Sequence, residues 1–452
     1  MPKTYYLRTF GCQMNEHDSE RMAGLLEVQG YRRIGAAEDA DVVIFNTCAI
    51  RENADNRLYG NLGALKRAKQ RRPEMQLVVG GCLAEKDRDT IVRRAPWVDV
   101  VLGTRNIDAL PRLLRQAEEQ GIPVVEFSET LEVFPSALPA RRESPFHAWV
   151  AIQYGCNNAC TFCIVPSVRG REVSRRMGDI LAEVRALAED GVVEVSLLGQ
   201  NVNSYGRDLY RTPRFADLLL ALDGIPGLER VRFTSPHPKD FREPVARAMA
   251  SSSVVCEHLH LPVQSGSTAV LRQMKRSYTR ERYLEKVAMA RDVVPGLAVT
   301  TDIIVGFPGE TEEDFEDTLS LVEEVRYDAA YTFQYSPRPG TEAAVRTDQV
   351  PKEVVRRRFD RLVAAQERIS LERNRALVGW VAEVLVEGPS KKDPDRLTGR
   401  TRTNKLVHFP GEGTPGSLRA VRIVGASPHH LEGETVGHDE AGARRREAAV
   451  GA

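Results

Sequence analysis

Cys156, Cys160 and Cys163 fall within eight residues at the spacing C-x3-C-x2-C. Three thiolates so placed can wrap one 4Fe–4S cube, yet they supply only three of its four ligands. One iron is therefore left for something else to bind. Two plainer readings use the same residues. Cys160-Thr161-Phe162-Cys163 is also a C-x-x-C of the redox or zinc kind. Zinc, however, wants a fourth Cys or His nearby, and the next downstream histidine is His237. Thiol–disulfide chemistry leaves Cys156 without a task. The open-cornered cluster accounts for all three residues.

A second triplet is spread out: Cys12, Cys48 and Cys82 lie 36 and 34 residues apart. Singly, each would read as a small buried hydrophobe. Each nevertheless closes an apolar run that reads as a strand and precedes a stretch that reads as a helix. Tyr5–Phe10 leads to Gly11-Cys12, Asp41–Asn46 to Thr47-Cys48, and Gln76–Val79 to Gly80-Gly81-Cys82. Strands alternating with helices predict a parallel sheet, and such sheets place ligands beyond the carboxyl ends of their strands. Three strand ends can converge, which again gives three thiolates and one open iron. Cys256 lacks this setting and is assigned to the core.

The elements that position these residues form several domains. At 452 residues the chain is long enough for roughly three. Its 42% hydrophobic and 28% charged residues are those of a soluble globular protein. No run of about 18 uncharged apolar residues predicts a membrane span, and the N-terminus lacks an export signal, so a cytoplasmic protein is expected. An odd number of cysteines in such a chain argues for metal or redox chemistry over disulfides.

The division expected is an N-terminal α/β domain over 1–120, a proline-rich linker over 121–147, and a second α/β unit over 148–377. A small β-barrel over 378–437 and a disordered tail over 438–452 complete it. In the second unit the candidate strands are Trp149–Tyr154, Val193–Leu198, Arg230–Thr234, His258–Val263, Ala298–Val305 and Ala330–Tyr335, separated by helical stretches. Six βα units fit a partial barrel with its site at the carboxyl ends. Pro351 opens a long amphipathic helix to Leu377, and short strands follow at Val381–Val386, Leu397–Phe409 and Ser417–Ile423.

From Lys3 to about Gly437 the chain resembles the methylthiotransferases of the radical S-adenosylmethionine superfamily. The matching stretches include Thr9–Asn15, Phe45–Arg51, Leu198–Gly206, Phe233–Pro238 and Gly399–Lys405, besides the second cysteine triplet. The resemblance implies an N-terminal parallel α/β sheet domain, a partial (βα)6 radical core and a C-terminal TRAM barrel. It implies two 4Fe–4S clusters, one on Cys12, Cys48 and Cys82 and one on Cys156, Cys160 and Cys163. S-adenosylmethionine would fill the open corner of the latter and yield a 5′-deoxyadenosyl radical on reduction.

The cofactor contacts implied are Phe162, Gly199, Gln200, Gln264, Ser265, Ile304 and Gly306. Taken singly, these residues read equally well as buried strand ends and turns. Asp302 stands where the superfamily often has glycine. The activity implied is methylthiolation at carbon 2 of a dimethylallyl-adenosine in the anticodon loop of tRNA, by a monomer fed electrons by a flavodoxin or ferredoxin. The aromatic C–H there resists acid–base chemistry, so a radical route suits it. Within the family the alternatives are threonylcarbamoyl-adenosine in tRNA or an aspartate of a ribosomal protein. Outside it stands a non-catalytic iron–sulfur RNA-binding protein.

Charge distribution bears on RNA. The net formal charge is zero, 63 basic against 63 acidic residues, but Lys352–Arg375 holds eight basic and four acidic residues and Gly388–Arg422 eight and three. Such clustering suits phosphate contacts, and Arg400, Arg402 and Lys405 are the candidates in the barrel. The run Lys66–Arg72 reads better as a solvated helix face. No histidine is assigned an acid or base role.

Overall fold

The computed structural model describes residues 2–49, 54–128, 130 and 134–436. The first sheet comprises β1 (Thr4–Thr9), β2 (Arg32–Arg33), β3 (Val42–Thr47), β4 (Gln76–Gly81), β5 (Val100–Leu102) and β6 (Val124–Glu126). All are parallel, in the order β2-β1-β3-β4-β5-β6. Every residue of β3 is buried, because helices cover both faces. Val42 and Ile44 pack with Leu26 and Leu113 on one side, and Val43 and Phe45 with Leu58 and Leu62 on the other. The winding reverses between β1 and β3, where sheets of this type open a crevice beyond their carboxyl ends. Cys12 and Cys48 follow those two strands, and Cys82 follows the next.

β2, β5 and β6 went unforeseen because two or three residues carry no periodicity. β6 lies within the stretch read as linker and extends the sheet at its edge.

The second unit begins with β7 (His147–Ala151), followed by a short antiparallel ribbon of β8 (Gln153–Tyr154) and β9 (Val173–Ser174). The strand expected over Trp149–Tyr154 is thus split between two sheets. Then come β10 (Glu194–Leu198), β11 (Arg230–Phe233), β12 (His258–His260), β13 (Ala298–Val305) and β14 (Ala329–Gln334). Parallel pairing gives β7-β10-β11 and β12-β13-β14, and a parallel bridge between Val231 and Val255 joins the two groups. The result is the expected partial barrel of six strands, with β7 and β14 as its open edges. Along β13, Val299, Ile303 and Val305 pack under the helices, so Thr300, Asp302 and Ile304 face the barrel interior.

Helix Glu312–Val325 starts at a reciprocal cap between Thr311 and Asp314. Helix Lys352–Arg375 runs beside it and corrects the charge argument. Arg358 pairs with Glu310 and Glu312, Arg361 with Glu312 and Glu316, Arg368 with Glu323, and Arg373 with Asp328. Much of the basic excess counted along this helix answers an acidic neighbour.

The last unit is a closed barrel of β15 (Val381–Pro389), β16 (Arg396–Thr401), β17 (Leu406–Pro410), β18 (Leu418–Ala426) and β19 (Leu431–Thr435). The single strand expected over Leu397–Phe409 is a hairpin that turns at Asn404, whose φ of 64° asparagine tolerates. The tail from His438 lies outside the described residues. Among those described, no helix is long and apolar enough to cross a membrane.

Candidate functional site

The first triplet sits on closely packed backbone. Cys12 caps helix Gln13–Val28, and the loop before it approaches Cys48 so nearly that a Cβ on Gly11 would lie 2.8 Å from Cys48 Cβ. Gly81 precedes Cys82 at φ 92°, where a Cβ would lie 2.3 Å from Asn46 Oδ1 and 2.4 Å from the Thr47 carbonyl. Only glycine fits that approach. Beneath the cysteines, Asn15 Nδ2 donates to Asn46 Oδ1 (3.0 Å) and the Thr47 carbonyl (3.1 Å), and Asn46 Nδ2 donates back to the Asn15 carbonyl (2.8 Å). This buried amide lattice ties the helix that carries Cys12 to the strand that ends at Cys48.

In the second triplet, Cys163 N–H donates to the Cys160 carbonyl (3.1 Å). Cys156 Sγ accepts from Asn158 N (3.4 Å) and Nδ2 (3.3 Å). The loop is pinned by Thr161, whose N–H and hydroxyl donate to the carbonyls of Met274 (3.1 Å) and Gln273 (3.0 Å).

Each triplet has a buried guanidinium that sequence reading missed. Arg169 Nε donates to Cys82 Sγ (3.3 Å) and Nη2 to Asp18 Oδ2 (2.9 Å), while Nη1 is buried without a partner. Arg276 Nη1 donates to Cys160 Sγ (3.5 Å), Nη2 to the Pro262 carbonyl (3.0 Å) and Nε to the Tyr278 hydroxyl (2.9 Å). The triplets are also adjacent: Ile164 and Val168 pack with Ala49 and Cys82. Segment 163–170 therefore begins with a cysteine of one triplet and carries the other's arginine near its end.

The donor chemistry fits two anionic clusters. Burial pushes the Cys82 and Cys163 thiols up to about 12 and raises Cys156 as well. Left free they would hold their protons, whereas coordination removes them, and the two arginines offset the charge that results. A cube gives each of three thiolates its own iron and leaves its fourth corner open.

At the barrel mouth, Phe162 packs with Ile304, Phe307 and Tyr335. Gly199 and Gln200 follow β10, and Gln200 Oε1 is buried without a partner. Gln264 lies along β13, donating its N–H to the Asp302 carbonyl and accepting from Ile304 N–H, both at 2.9 Å. Ser265 and Gly306 turn elsewhere. The Ser265 hydroxyl meets Thr318 Oγ1 (3.3 Å) and Gly306 N–H donates to Glu310 Oε1 (3.1 Å), both on the helical side. Burial, with the neighbouring cations Arg276 and Lys239, pushes His237 down to about 2. Burial beside Arg232 pushes His258 down to about 3. Both stay neutral near pH 7.

Arg402 and Lys405, read from the sequence as phosphate contacts, are committed to carboxylates at the amino end of the barrel. Arg402 grips Glu257 (2.8–3.1 Å) and the Val255 carbonyl (2.7 Å), and Lys405 pairs with Asp328 at 2.8 Å. Arg400 pairs with Glu387 at 2.9 Å within its own barrel. From the other side, Arg230 and Arg232 donate to the carbonyls of Arg400, Thr401 and Arg402 (2.8–2.9 Å). The hairpin tip is a docking plug.

Comparison with known proteins agrees with this layout. Residues 4–103 match an uncharacterized protein family, UPF0004; residues 150–322 match the radical SAM superfamily and 375–436 the TRAM domain. The chain is 60% identical to a tRNA-2-methylthio-N(6)-dimethylallyladenosine synthase of Acidothermus cellulolyticus over 96% of its length and 88% of the relative's. It is 57% identical to one of Salinispora arenicola, over 99% and 93%. Among solved structures, a radical S-adenosylmethionine methyltransferase of Kitasatospora setae shares the fold at a TM-score of 0.56 and 15% identity, covering 76% of this chain and 75% of that one.

Proposed function

The chain belongs to the family of tRNA-2-methylthio-N(6)-dimethylallyladenosine synthases, and from that premise we propose how its own residues divide the work. The substrate is a dimethylallyl-adenosine of tRNA, and the product is its 2-methylthio derivative. Membership of the radical superfamily brings one 4Fe–4S cluster and S-adenosylmethionine, and Cys156, Cys160 and Cys163 hold that cluster. Cys12, Cys48 and Cys82 hold a second. Together the bound groups supply a carbon-centred radical and a place for sulfur to be methylated.

The remaining roles belong to the chain. Phe162 and Ile304 offer an apolar wall at the mouth of the barrel. The buried Gln200 oxygen lacks a partner and would accept a hydrogen bond from S-adenosylmethionine, a bond whose absence costs a buried acceptor free energy. Arg169 and Arg276 offset thiolate charge, and segment 163–170 keeps the two triplets side by side. The electron comes from an external donor of the flavodoxin or ferredoxin type. The TRAM barrel, plugged onto the amino end of the strands, holds RNA on surfaces other than its hairpin tip.

The observation that carries this reading is the convergence of three strand ends on one crevice directly against the loop of the second triplet. The test is single turnover by anaerobically reconstituted protein with S-adenosylmethionine, a reductant and a dimethylallyl-adenosine stem-loop. Release of 5′-deoxyadenosine together with the 2-methylthio nucleoside is expected. A non-catalytic iron–sulfur RNA-binding protein would yield neither.

A further inference from the structure

Two large aromatic side chains stand unusually open beside the candidate site: Tyr331 is 58% and Phe333 50% exposed. Both lie on β14, the free edge of the partial barrel. Their direction follows from register. Tyr331 is the partner of Asp302, and Phe333 that of Ile304, and cross-strand partners share a face. Since Asp302 and Ile304 face the barrel interior, so do the two rings. Ile304 in turn packs with Phe162 of the cysteine loop. An apolar ledge thus runs from the second triplet down the inner wall of the barrel.

Its lower end is polar. His260 stands edge-on to Tyr331, ring centres 5.7 Å apart, with its Nε2 3.4 Å from Asp302 Oδ1 and its Nδ1 3.0 Å from Thr300 Oγ1. Asp302 therefore presents a carboxylate on the same face as the rings. Apolar surface left uncovered next to polar groups inside a barrel marks a place for a ligand.

We propose that Tyr331, Phe333 and Asp302 select the substrate base: the rings hold an adenine with an apolar N6 substituent, and the Asp302 carboxylate repels one that carries an acid. This rests on the reading of the chain as an adenosine methylthiotransferase and adds how it tells two modified adenosines apart. A dimethylallyl group is a five-carbon apolar tail, suited to an aromatic wall. A threonylcarbamoyl group ends in a carboxylate, which a facing Asp excludes by like charge.

The experiment measures binding of three anticodon stem-loops to the reconstituted holoenzyme: one with dimethylallyl-adenosine, one with threonylcarbamoyl-adenosine and one unmodified. Wild-type protein should prefer the first. Phe333→Ala should lower its preference for dimethylallyl over unmodified RNA about tenfold. Asp302→Asn should leave that ratio alone and tighten binding of the threonylcarbamoyl RNA several-fold. Iron content should match wild type in both variants. If Phe333→Ala loses iron, Tyr331→Ala takes its place. Wild-type preference that survives both substitutions overturns the ledge while leaving the proposed function intact. A wild-type protein with no preference for the dimethylallyl RNA overturns both.

Discussion

Replacing Arg169 with methionine keeps most of the side chain's length and deletes the charge on which Asp18 depends. Both side chains are almost wholly buried, at 3% and 1% exposure, and meet at 2.9 Å. Burial alone would push the Asp18 carboxyl up, but the Arg169 charge and the His17 hydrogen bond outweigh it and hold it below the usual range. Breaking such a pair from one side leaves an uncompensated buried charge and costs about 3–5 kcal/mol. At about 2–4 °C per kcal/mol, Tm should fall by roughly 10 °C. The sign with pH follows. In the wild type, Asp18 contributes stability above its unfolded pKa that is lost as pH falls through its lowered folded value. In the variant its folded pKa rises, so the added penalty should be largest near neutral pH and shrink on acidification. Scanning calorimetry of Arg169→Met at pH 8 and pH 5, beside Asp18→Asn with Arg169→Met, reads all of this. The double variant should recover at least half of the loss. A cost under about 1 kcal/mol, unchanged between the two pH values, would refute the argument.

Three further outcomes are expected. Gly81→Ala forces a Cβ to within 2.3 Å of Asn46 Oδ1, so reconstituted protein should lose iron from the first triplet while still releasing 5′-deoxyadenosine; full iron content would contradict this. His237 and His258 are both held neutral by burial. Stability should therefore be full above about pH 6.5 and decline below it, by about 1 kcal/mol per histidine between pH 7 and 5.5, as urea titrations would show. Arg230 is wholly buried and donates to the carbonyls of Arg400 and Glu383. Arg230→Met leaves them unpaired at about 1–3 kcal/mol each, so trypsin should cleave at Arg375 at least about thirtyfold faster.

The strand ends that carry Cys12, Cys48 and Cys82, and the loop that carries Cys156, Cys160 and Cys163, were legible because their signal is local. An apolar run that stops at glycine and cysteine marks a strand end, and three cysteines in eight residues mark a loop that can wrap a cluster. The six barrel strands were legible for the same reason. Arg169 and Arg276 were not. Their roles arise from tertiary approach across 87 and 116 residues of sequence, and no spacing announces that. Charge counting sees one element at a time. Lys352–Arg375 is basic by itself and largely balanced beside Glu312–Val325. In the Arg400–Lys405 stretch, Arg402 and Lys405 face Glu257 and Asp328, while Arg400 stays partly exposed beside Glu387. Short strands such as Val124–Glu126 exist only because a neighbouring edge was already there to pair with.

The division of six thiols between two clusters is tested most directly by iron. Anaerobically reconstituted wild-type chain should bind about eight irons, and a Cys12→Ala, Cys48→Ala, Cys82→Ala triple variant about four with S-adenosylmethionine cleavage retained. About four irons in both proteins would contradict it.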